Sequence, residues 1–273
     1  MDLLSPYIRF KGKEFDTSRK TQYGLTIQIS LGGFSFVVND AEQGRIVALR
    51  AYNNVDTLAH VKDAVSEFCA DNGLDTASFA KVTCVVDDAN YAVVPSGLFG
   101  QEQAEACLDF CNDNQGNTVI TEHVPLAGCD VVYGVGEGLV ESLSGISQKH
   151  ETRHAAAILI GDLLLRNKGL RQYVNVRQSD IDVMVADDDK LLFYNSFNFK
   201  GIDDFLYFIV TVMRQYGSPE QMKLCFCGMV MPDSAVMNLV NRYVRNVGFL
   251  ESALLPADID VPRHYFYVPL AII

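Results

Sequence analysis

Basic residues are scarce in this chain of 273 residues. Lysine and arginine together number 22, against 34 aspartate and glutamate residues, and the formal net charge is −12. Proteins that follow a phosphate backbone, or that bind an anionic membrane surface, carry an excess of basic residues instead. The charge therefore argues against a nucleic-acid-binding protein and against a protein that docks on a lipid surface.

The sequence also lacks long apolar runs and an export signal. Its longest apolar stretches, such as residues 205–213, are far shorter than the ~20 residues that a membrane-spanning helix needs. Residues 1–6 contain no basic segment followed by an apolar one, so no signal peptide is expected. The seven cysteines are odd in number and lie mostly in apolar patterns, as buried thiols do in a reducing compartment. We expect a cytoplasmic protein without membrane insertion.

Two stretches of the sequence, residues 25–53 and 174–198, follow the same plan. Each has three β-rich segments joined by short turns that contain Gly, Asp or Asn, a pattern typical of a three-stranded antiparallel meander. A helix, a strand, a helix and a strand are expected after each copy. The duplication predicts two α/β lobes, a first at 1–150 with residues 1–20 as an extended N-terminal arm, and a second at 151–273.

Periodicity and turn signals place the remaining elements. A helix is expected after Asp56, which would cap it. The polar residues before 153 suggest a break between the lobes, followed by a long helix over 153–167. Near the end of the chain, an amphipathic helix is expected over 234–247 and a final strand over 264–273.

Three antiparallel strands followed by β-linked helices, twice, is the layout of the actin and sugar-kinase class, a ribonuclease H-like fold. Three segments resemble an uncharacterised bacterial family with an actin-like ATPase fold, distantly similar to pilus-assembly and cell-division actin homologues. They are L-T-I-Q-I-S-L-G-G-F-S-F-V-V from Leu25, Y-A-V-V-P-S-G-L-F from Tyr91, and N-S-F-N-F-K-G-I-D-D-F-L-Y-F from Asn195. The resemblance covers nearly the whole chain. It implies a cleft between two lobes and an assembly role with protein partners.

Active members of the actin-like class carry an Asp and glycines in both meanders, because magnesium-bound phosphate needs a carboxylate and close backbone amides. Here the Asp positions hold Gln28 and Asn175, and the Gly positions hold Ser30 and Arg177. The candidates that remain for a vestigial cleft are Gly32, Gly33, Ser179, Asp180 and Gly228. We therefore expect a non-catalytic scaffold with a degenerate nucleotide site, no cofactor, and a protein partner or a homodimer.

A divergent nucleotide-binding ATPase or kinase is the first alternative. It would be supported if Asp40, Asp180 or Asp182 pointed into the cleft around a bound magnesium–nucleotide complex. This alternative therefore depends on where the fold places these three side chains.

A zinc hydrolase is the second alternative, because residues 150–154 read H-E-T-R-H. On a helix, His150 and His154 would share a face and could bind zinc, with Glu151 as the general base. The charged Arg153 inside the motif and the lack of a third ligand disfavour this reading. A helix start with Glu151 near the positive end of the helix dipole is preferred.

Two cysteine pairs, Cys107 with Cys111 and Cys225 with Cys227, could also suggest a metal site. Neither pair has the C-x-x-C spacing of a zinc site, and both lie in apolar patterns. We expect all four thiols to pack in the core.

Overall fold

The computed structural model describes residues 5–53, 57–98, 100–112, 114, 117–147 and 149–273. In chain order the strands are β1 (Ile8–Lys11), β2 (Tyr23–Ser30), β3 (Gly33–Asp40), β4 (Arg45–Asn53), β5 (Lys81–Asp87), β6 (Tyr91–Pro95), β7 (Asn117–Val124), β8 (Cys129–Gly136), β9 (His150–His154), β10 (Leu170–Val176), β11 (Asp180–Asp187), β12 (Lys190–Asn198), β13 (Lys223–Gly228) and β14 (Val247–Phe249). The helices are α1 (Thr57–Asp71), α2 (Gln101–Cys111), α3 (Glu137–Ile146), α4 (Ala155–Arg166), α5 (Ile202–Tyr216), α6 (Ala235–Tyr243) and α7 (Tyr267–Leu270).

The two largest sheets repeat one topology, which confirms the predicted duplication. The first has the order β1-β4-β3-β2-β5-β9, and the second has the order β12-β11-β10-β13-β14. Each contains an antiparallel meander whose first strand, β2 or β10, pairs in parallel with a later strand, β5 or β13. Even the register shift between the second and third strands of the meander recurs, at Val38/Asn39 and at Val185/Ala186. The chain therefore has a duplicated α/β fold.

A smaller sheet with the order β6-β8-β7 is inserted between β5 and α3. Its three strands are antiparallel, and α2 packs against them through Ala104 and Leu108. The insertion starts where β5 ends, at Asp87. It therefore lies beside the edge at which the parallel strands of the first lobe terminate.

Helix α4 lies between the two lobes. Eight of its residues are buried, among them Ala155, Leu159 and Leu163, and they share one apolar cluster with strands of both large sheets. A helix that is apolar on nearly all sides is stable only inside the protein. The sequence A-A-A-I-L-I-G-D-L-L-L-R explains why α4 forms the packed layer between the lobes. No helix in the described part of the chain is long and apolar enough to cross a membrane.

Three element predictions differ from the structure. The helix expected over 153–167 begins only at Ala155, because residues 150–154 form β9 and pair in parallel with β5. The helix expected over 234–247 ends at Tyr243, and the chain then enters β14. Residues 264–273 are not a strand, since they contain α7. Asp56 lies outside the described residues.

The segment after β14 returns to the first lobe. Leu255, Ile259, Phe266 and Leu270 pack on Val37 and its neighbours, on the face of the first sheet opposite α1. This packing explains why apolar residues near the end of the chain need no strand partner. The N-terminal arm is likewise partly ordered, because β1 pairs with β4. The division of the chain after residue 150 stays a prediction, and β9 belongs to the first sheet.

Candidate functional site

The hairpin turns of the two meanders meet between the lobes. The β2–β3 turn holds Gly32 in the left-handed region, with φ of 77°. A Cβ atom on Gly32 would lie 2.7 Å from Oε1 of Gln178, in the β10–β11 turn. The two turns are therefore in direct contact with each other.

A cleft of about 680 Å³, including its open mouth, lies beside this contact. Three of the five sequence candidates, Gly32, Gly33 and Gly228, line it. Gly228 has φ of 82°, and a Cβ there would lie 2.3 Å from the carbonyl oxygen of Val176. The backbone at this position therefore needs glycine, as close packing between β13 and β10 requires.

The other two candidates lie elsewhere. Ser179 donates a hydrogen bond of 2.8 Å from Oγ to Oδ2 of Asp180. Asp180 lines a separate cleft with Tyr194 and Asn195, between the inserted sheet and the second lobe. The structure does not bring Ser179 and Asp180 together with the three glycines.

The floor of the glycine-lined cleft is an ion-pair cluster centred on Arg177. Its Nη1 lies 3.1 Å from Oδ1 of Asp87, at the end of β5, and its Nη2 lies 2.9 Å from Oδ1 of Asp182, in β11. Nη1 also donates to the carbonyl oxygen of Asp88 at 3.0 Å, and Nη2 to Oγ of Ser196 at 3.2 Å. The cluster joins the two lobes through charge-assisted hydrogen bonds.

The residues that replace the expected aspartates complete this cluster. Gln28 donates from Nε2 to Oδ2 of Asp87 at 2.6 Å. Asn175 donates from Nδ2 to Oδ2 of Asp182 at 3.0 Å. Both amides, which stand where the resemblance led us to expect an aspartate, therefore donate to a carboxylate of the cluster. The guanidinium of Arg177 supplies the positive charge at the floor of this cleft.

Burial sets the charge states in the cluster. It raises the pKa of Asp87 above its ordinary value, although Arg177 opposes that rise. Burial also disfavours the charge of Arg177, but Asp182 and Asp87 outweigh it and raise the pKa of the guanidinium. Arg177 therefore remains positively charged, and the carboxylates beside it hold that charge in place.

Asp40, Asp180 and Asp182 are the residues on which an ATPase or kinase would depend. Asp40 pairs with Arg19 at 2.8 Å, near the start of the first lobe. Asp180 lines the separate cleft described above. Asp182 does not line the glycine-lined cleft either, but it lies beneath its floor, where it pairs with Arg177 at 2.9 Å.

The sequence of residues 12–247 matches one protein-family model, described as "Protein of unknown function (DUF3822)". The chain belongs to the DUF3822 family. Among solved structures, a Bacteroides thetaiotaomicron protein "with actin-like ATPase fold and unknown function" is similar at 20% identity and a TM-score of 0.75. That alignment covers 86% of this chain and 93% of the other. No curated protein matches the chain.

Two further structures share the fold of this DUF3822 protein at low identity. The PilM–PilN type IV pilus biogenesis complex has a TM-score of 0.57 at 11% identity, over 91% of this chain and 97% of the other. The ethanolamine utilization protein EutJ from Carboxydothermus hydrogenoformans has a TM-score of 0.53 at 10% identity, over 92% and 88%. These likenesses show the actin-like ATPase fold, which confirms the expected fold class.

The H-E-x-x-H segment of this DUF3822 protein is not helical. His150 and His154 lie at the two ends of β9, and four residues of extended chain span about 13 Å. Glu151 pairs with Lys81 at 2.7 Å. His154 is fully buried and caps α4, with its Nδ1 accepting from the backbone N–H of Ala156 at 3.1 Å. The helical spacing that a zinc site would need is not found.

Asp87 is the site residue that sequence reasoning missed. Nothing in the local sequence distinguishes it from other aspartates that follow a strand. A usable signal exists in the topology, since β5 runs parallel to β2 and ends at the same edge of the sheet. Polar residues at the carboxyl ends of adjacent parallel strands converge on the crevice where such folds bind ligands.

Proposed function

We propose that this protein is a non-catalytic scaffold that binds other proteins, and that an internal ion-pair cluster stands where an actin-like ATPase holds magnesium and phosphate. The observation that carries this proposal is the position of Arg177 between Asp87 and Asp182. A bound nucleotide needs a metal-directing carboxylate and free backbone amides. Here the carboxylates are paired to a side chain, and the turns contact each other.

Energetics support a structural role for the cluster. Two carboxylates and one guanidinium are buried, with side chains at most 7% exposed. Removing one partner of a buried pair costs several kcal/mol, because it leaves an uncompensated charge. Opening the site for a magnesium–nucleotide complex would incur that cost, whereas the closed arrangement fixes the two lobes relative to each other.

Protein partnering is the finer part of the proposal. PilM, which shares the fold, was solved with PilN in a pilus biogenesis complex, so this fold can serve as a platform for another protein. The partner is a protein or a second copy of this chain. We place the protein in the cytoplasm, because its buried thiols, such as Cys84 and Cys227, are free as they are in reducing compartments.

Phosphate release from ATP in the presence of magnesium tests the absence of catalysis. The wild-type protein should release phosphate no faster than the Asp182→Asn variant or a protein-free blank. Both samples are checked by circular dichroism so that unfolding does not imitate inactivity. Magnesium-dependent turnover that disappears in Asp182→Asn would overturn the proposal and favour the divergent ATPase.

Partner binding should be independent of nucleotide if the cluster takes the place of ATP. Lysate of the source cells is divided, magnesium–ATP is added to one half and ATP is depleted from the other, and each half is then cross-linked so that the captured proteins can be compared. We expect the same cross-linked set in both conditions. A partner that binds only with ATP present would contradict a scaffold without a nucleotide cycle.

A further inference from the structure

The cleft that Asp180 lines lies between two free sheet edges. Strand β6 ends the inserted sheet and pairs only with β8, and strand β12 ends the second large sheet and pairs only with β11, as far as the described residues show. Four consecutive residues of β6 (91–94) and three of β12 (194–196) line this cleft, which has a volume of about 510 Å³. An edge strand carries a row of N–H and C=O groups that can pair with another chain.

The hydrogen-bond register of β6 shows which of its backbone groups face outward. The N–H of Gly134 donates to the carbonyl oxygen of Asn90, and the N–H of Ser96 donates to the carbonyl oxygen of Gly128. In an antiparallel pair, alternate residues exchange both bonds with the partner strand. The even-numbered residues of β6 therefore pair with β8, and the odd-numbered residues direct their N–H and C=O groups toward the free edge.

The three outward residues of β6 differ in what they can still bind. The carbonyl oxygen of Tyr91 accepts from Nδ2 of Asn112 at 3.0 Å, and Pro95 has no N–H, as suits a position on an open edge. Within the described part of the chain, no hydrogen bond reaches the N–H or C=O of Val93. One residue of an added antiparallel strand, placed opposite Val93, would satisfy both groups.

The side chains around β6 indicate which peptide would fit. Ala92 and Val94 line the cleft together with Cys107 and Cys111 of α2, so this side suits small apolar side chains. Asp180 is the one charged residue among the described residues of the lining, and the whole chain has a net charge of −12. A lysine or arginine in the peptide would complement this charge.

We propose that an extended segment of a partner protein adds to the edge of β6 as an antiparallel strand, pairs with Val93, and carries a lysine or arginine that reaches Asp180. Strand addition derives its affinity from main-chain hydrogen bonds and its specificity from alternate side chains. The inference rests on the proposed scaffold function and deepens it, because it names the surface and the chemistry of the partner.

The probe for this test is a phage library of random eight-residue peptides, selected on the wild-type protein. The most enriched peptide is synthesised with a fluorescent label and titrated by anisotropy. Val93→Pro removes the outward N–H and leaves the bonds between β6 and β8 in place. The matched control is Val119→Pro in β7, the other edge of the same sheet. Val119 stands opposite Gly134, whose N–H bonds to β6, so the N–H of Val119 also faces away from β8.

We expect the peptide to bind Val93→Pro at least about fivefold more weakly than the wild type, because a hydrogen bond of the added strand is lost, and to bind Val119→Pro with unchanged affinity. Circular dichroism checks that both variants are folded. Amide hydrogen exchange in the wild-type protein needs no variant, and the peptide should slow exchange at Val93 but not at Val119. No enriched peptide, equal affinity for the two proline variants, or protection at Tyr194 instead of Val93 would overturn the proposal.

Asp180→Asn tests the charge of the peptide. This variant should bind the peptide about threefold more weakly, whereas Asp187→Asn, which is exposed at the opposite end of β11, should bind it as the wild type does. An enriched peptide without a basic residue, or equal affinity for the two asparagine variants, would contradict the proposed chemistry. Binding that requires magnesium–ATP would instead contradict the scaffold function while leaving β6 as the docking edge.

Discussion

Nη1 of Arg177 and Oδ1 of Asp87 lie 3.1 Å apart, although the two residues are separated by 90 positions in the sequence. This contact joins the turn after β10 in the second lobe to the end of β5 in the first. Both residues are buried. The relationship fixes the two lobes relative to each other at the floor of the glycine-lined cleft.

Replacing Arg177 by Met should lower the free energy of unfolding by about 3–5 kcal/mol, because Asp87 and Asp182 would remain buried without their cation. Urea unfolding monitored by circular dichroism measures this loss. Lys81 provides a control, since its pair with Glu151 is exposed on both sides, at 64% and 48%, and Lys81→Met should change stability by less than about 1 kcal/mol.

The triple variant Arg177→Met/Asp87→Asn/Asp182→Asn separates charge from packing. Removing all three charges should recover at least half of the stability lost in Arg177→Met, because no uncompensated carboxylate remains. A triple variant that is no more stable than Arg177→Met would show that the ion pairs are not the reason for the loss.

Gly32→Ala should destabilise the protein more than Gly44→Ala. Both glycines have positive φ, at 77° and 59°, so both variants carry backbone strain. Only at Gly32 does the added Cβ approach Gln178, whereas no atom of the described residues lies within 4 Å at Gly44. Because Oε1 is the far end of a side chain that can move aside, we expect an excess loss of at most about 1 kcal/mol at Gly32, measured by urea unfolding, which Gln178→Ala should remove. An excess loss that Gln178→Ala leaves unchanged would argue against contact between the hairpin turns.

Much of the fold is predictable from local pattern, and the exceptions have a common cause. Each meander of alternating residues and tight turns can be recognised without knowledge of the other lobe. The segment His150–His154 has no apolar alternation, and it becomes a strand because β5 offers a parallel edge. Several residues between 264 and 273 are apolar because they pack on the first sheet. An apolar run alone therefore does not show whether a segment forms a strand or, as here, a loop and a short helix.

The sequence predicted the site only through the aspartates and glycines that the two meanders lack. The sequence shows that Gln28, Asn175 and Arg177 replace class residues, but the partner of Arg177 is set by the approach of β5 and β10 in space. The expectation that Cys107 and Cys111 pack in the core was wrong for Cys111, which is exposed at the end of α2. An amphipathic pattern does not show whether another element covers the last turn of a helix.

The exposure of Cys111 predicts selective thiol chemistry. Iodoacetamide at pH 8 should alkylate Cys111 before Cys84 and Cys227, which are buried. Burial also raises the pKa of Cys84 to about 12, so its reactive thiolate is scarce at this pH. Peptide mass spectrometry over time measures the order. Alkylation of Cys84 in the native protein as fast as that of Cys111 would contradict the buried position of β5.

His264 should make the protein less stable in acid. Burial lowers its pKa below the ordinary value of about 6.5, and its ring lies 2.7 Å from the carbonyl oxygen of Val230. The unfolded chain therefore binds a proton more readily than the native one. The stabilisation is complete above about pH 6.5 and is lost as the pH falls through the lowered pKa of the native state.

Urea unfolding at pH 7.5 and pH 5 measures this effect in the wild-type protein and in His264→Gln. The amide of glutamine can donate to Val230 but does not titrate. We expect a smaller difference between the two pH values in His264→Gln. The same difference in both proteins would exclude His264 as a source of the acid sensitivity.

Thermal unfolding of the wild-type protein, titrated with magnesium–ATP and magnesium–ADP up to millimolar concentration, tests the closed nucleotide site most directly. A ligand that binds only the native state raises the unfolding temperature as its concentration exceeds the dissociation constant. With Arg177 paired to Asp87 and Asp182, we predict no magnesium-dependent shift. A saturable rise that requires magnesium and is lost in Asp182→Asn would contradict the internal ion-pair cluster as the replacement for bound nucleotide.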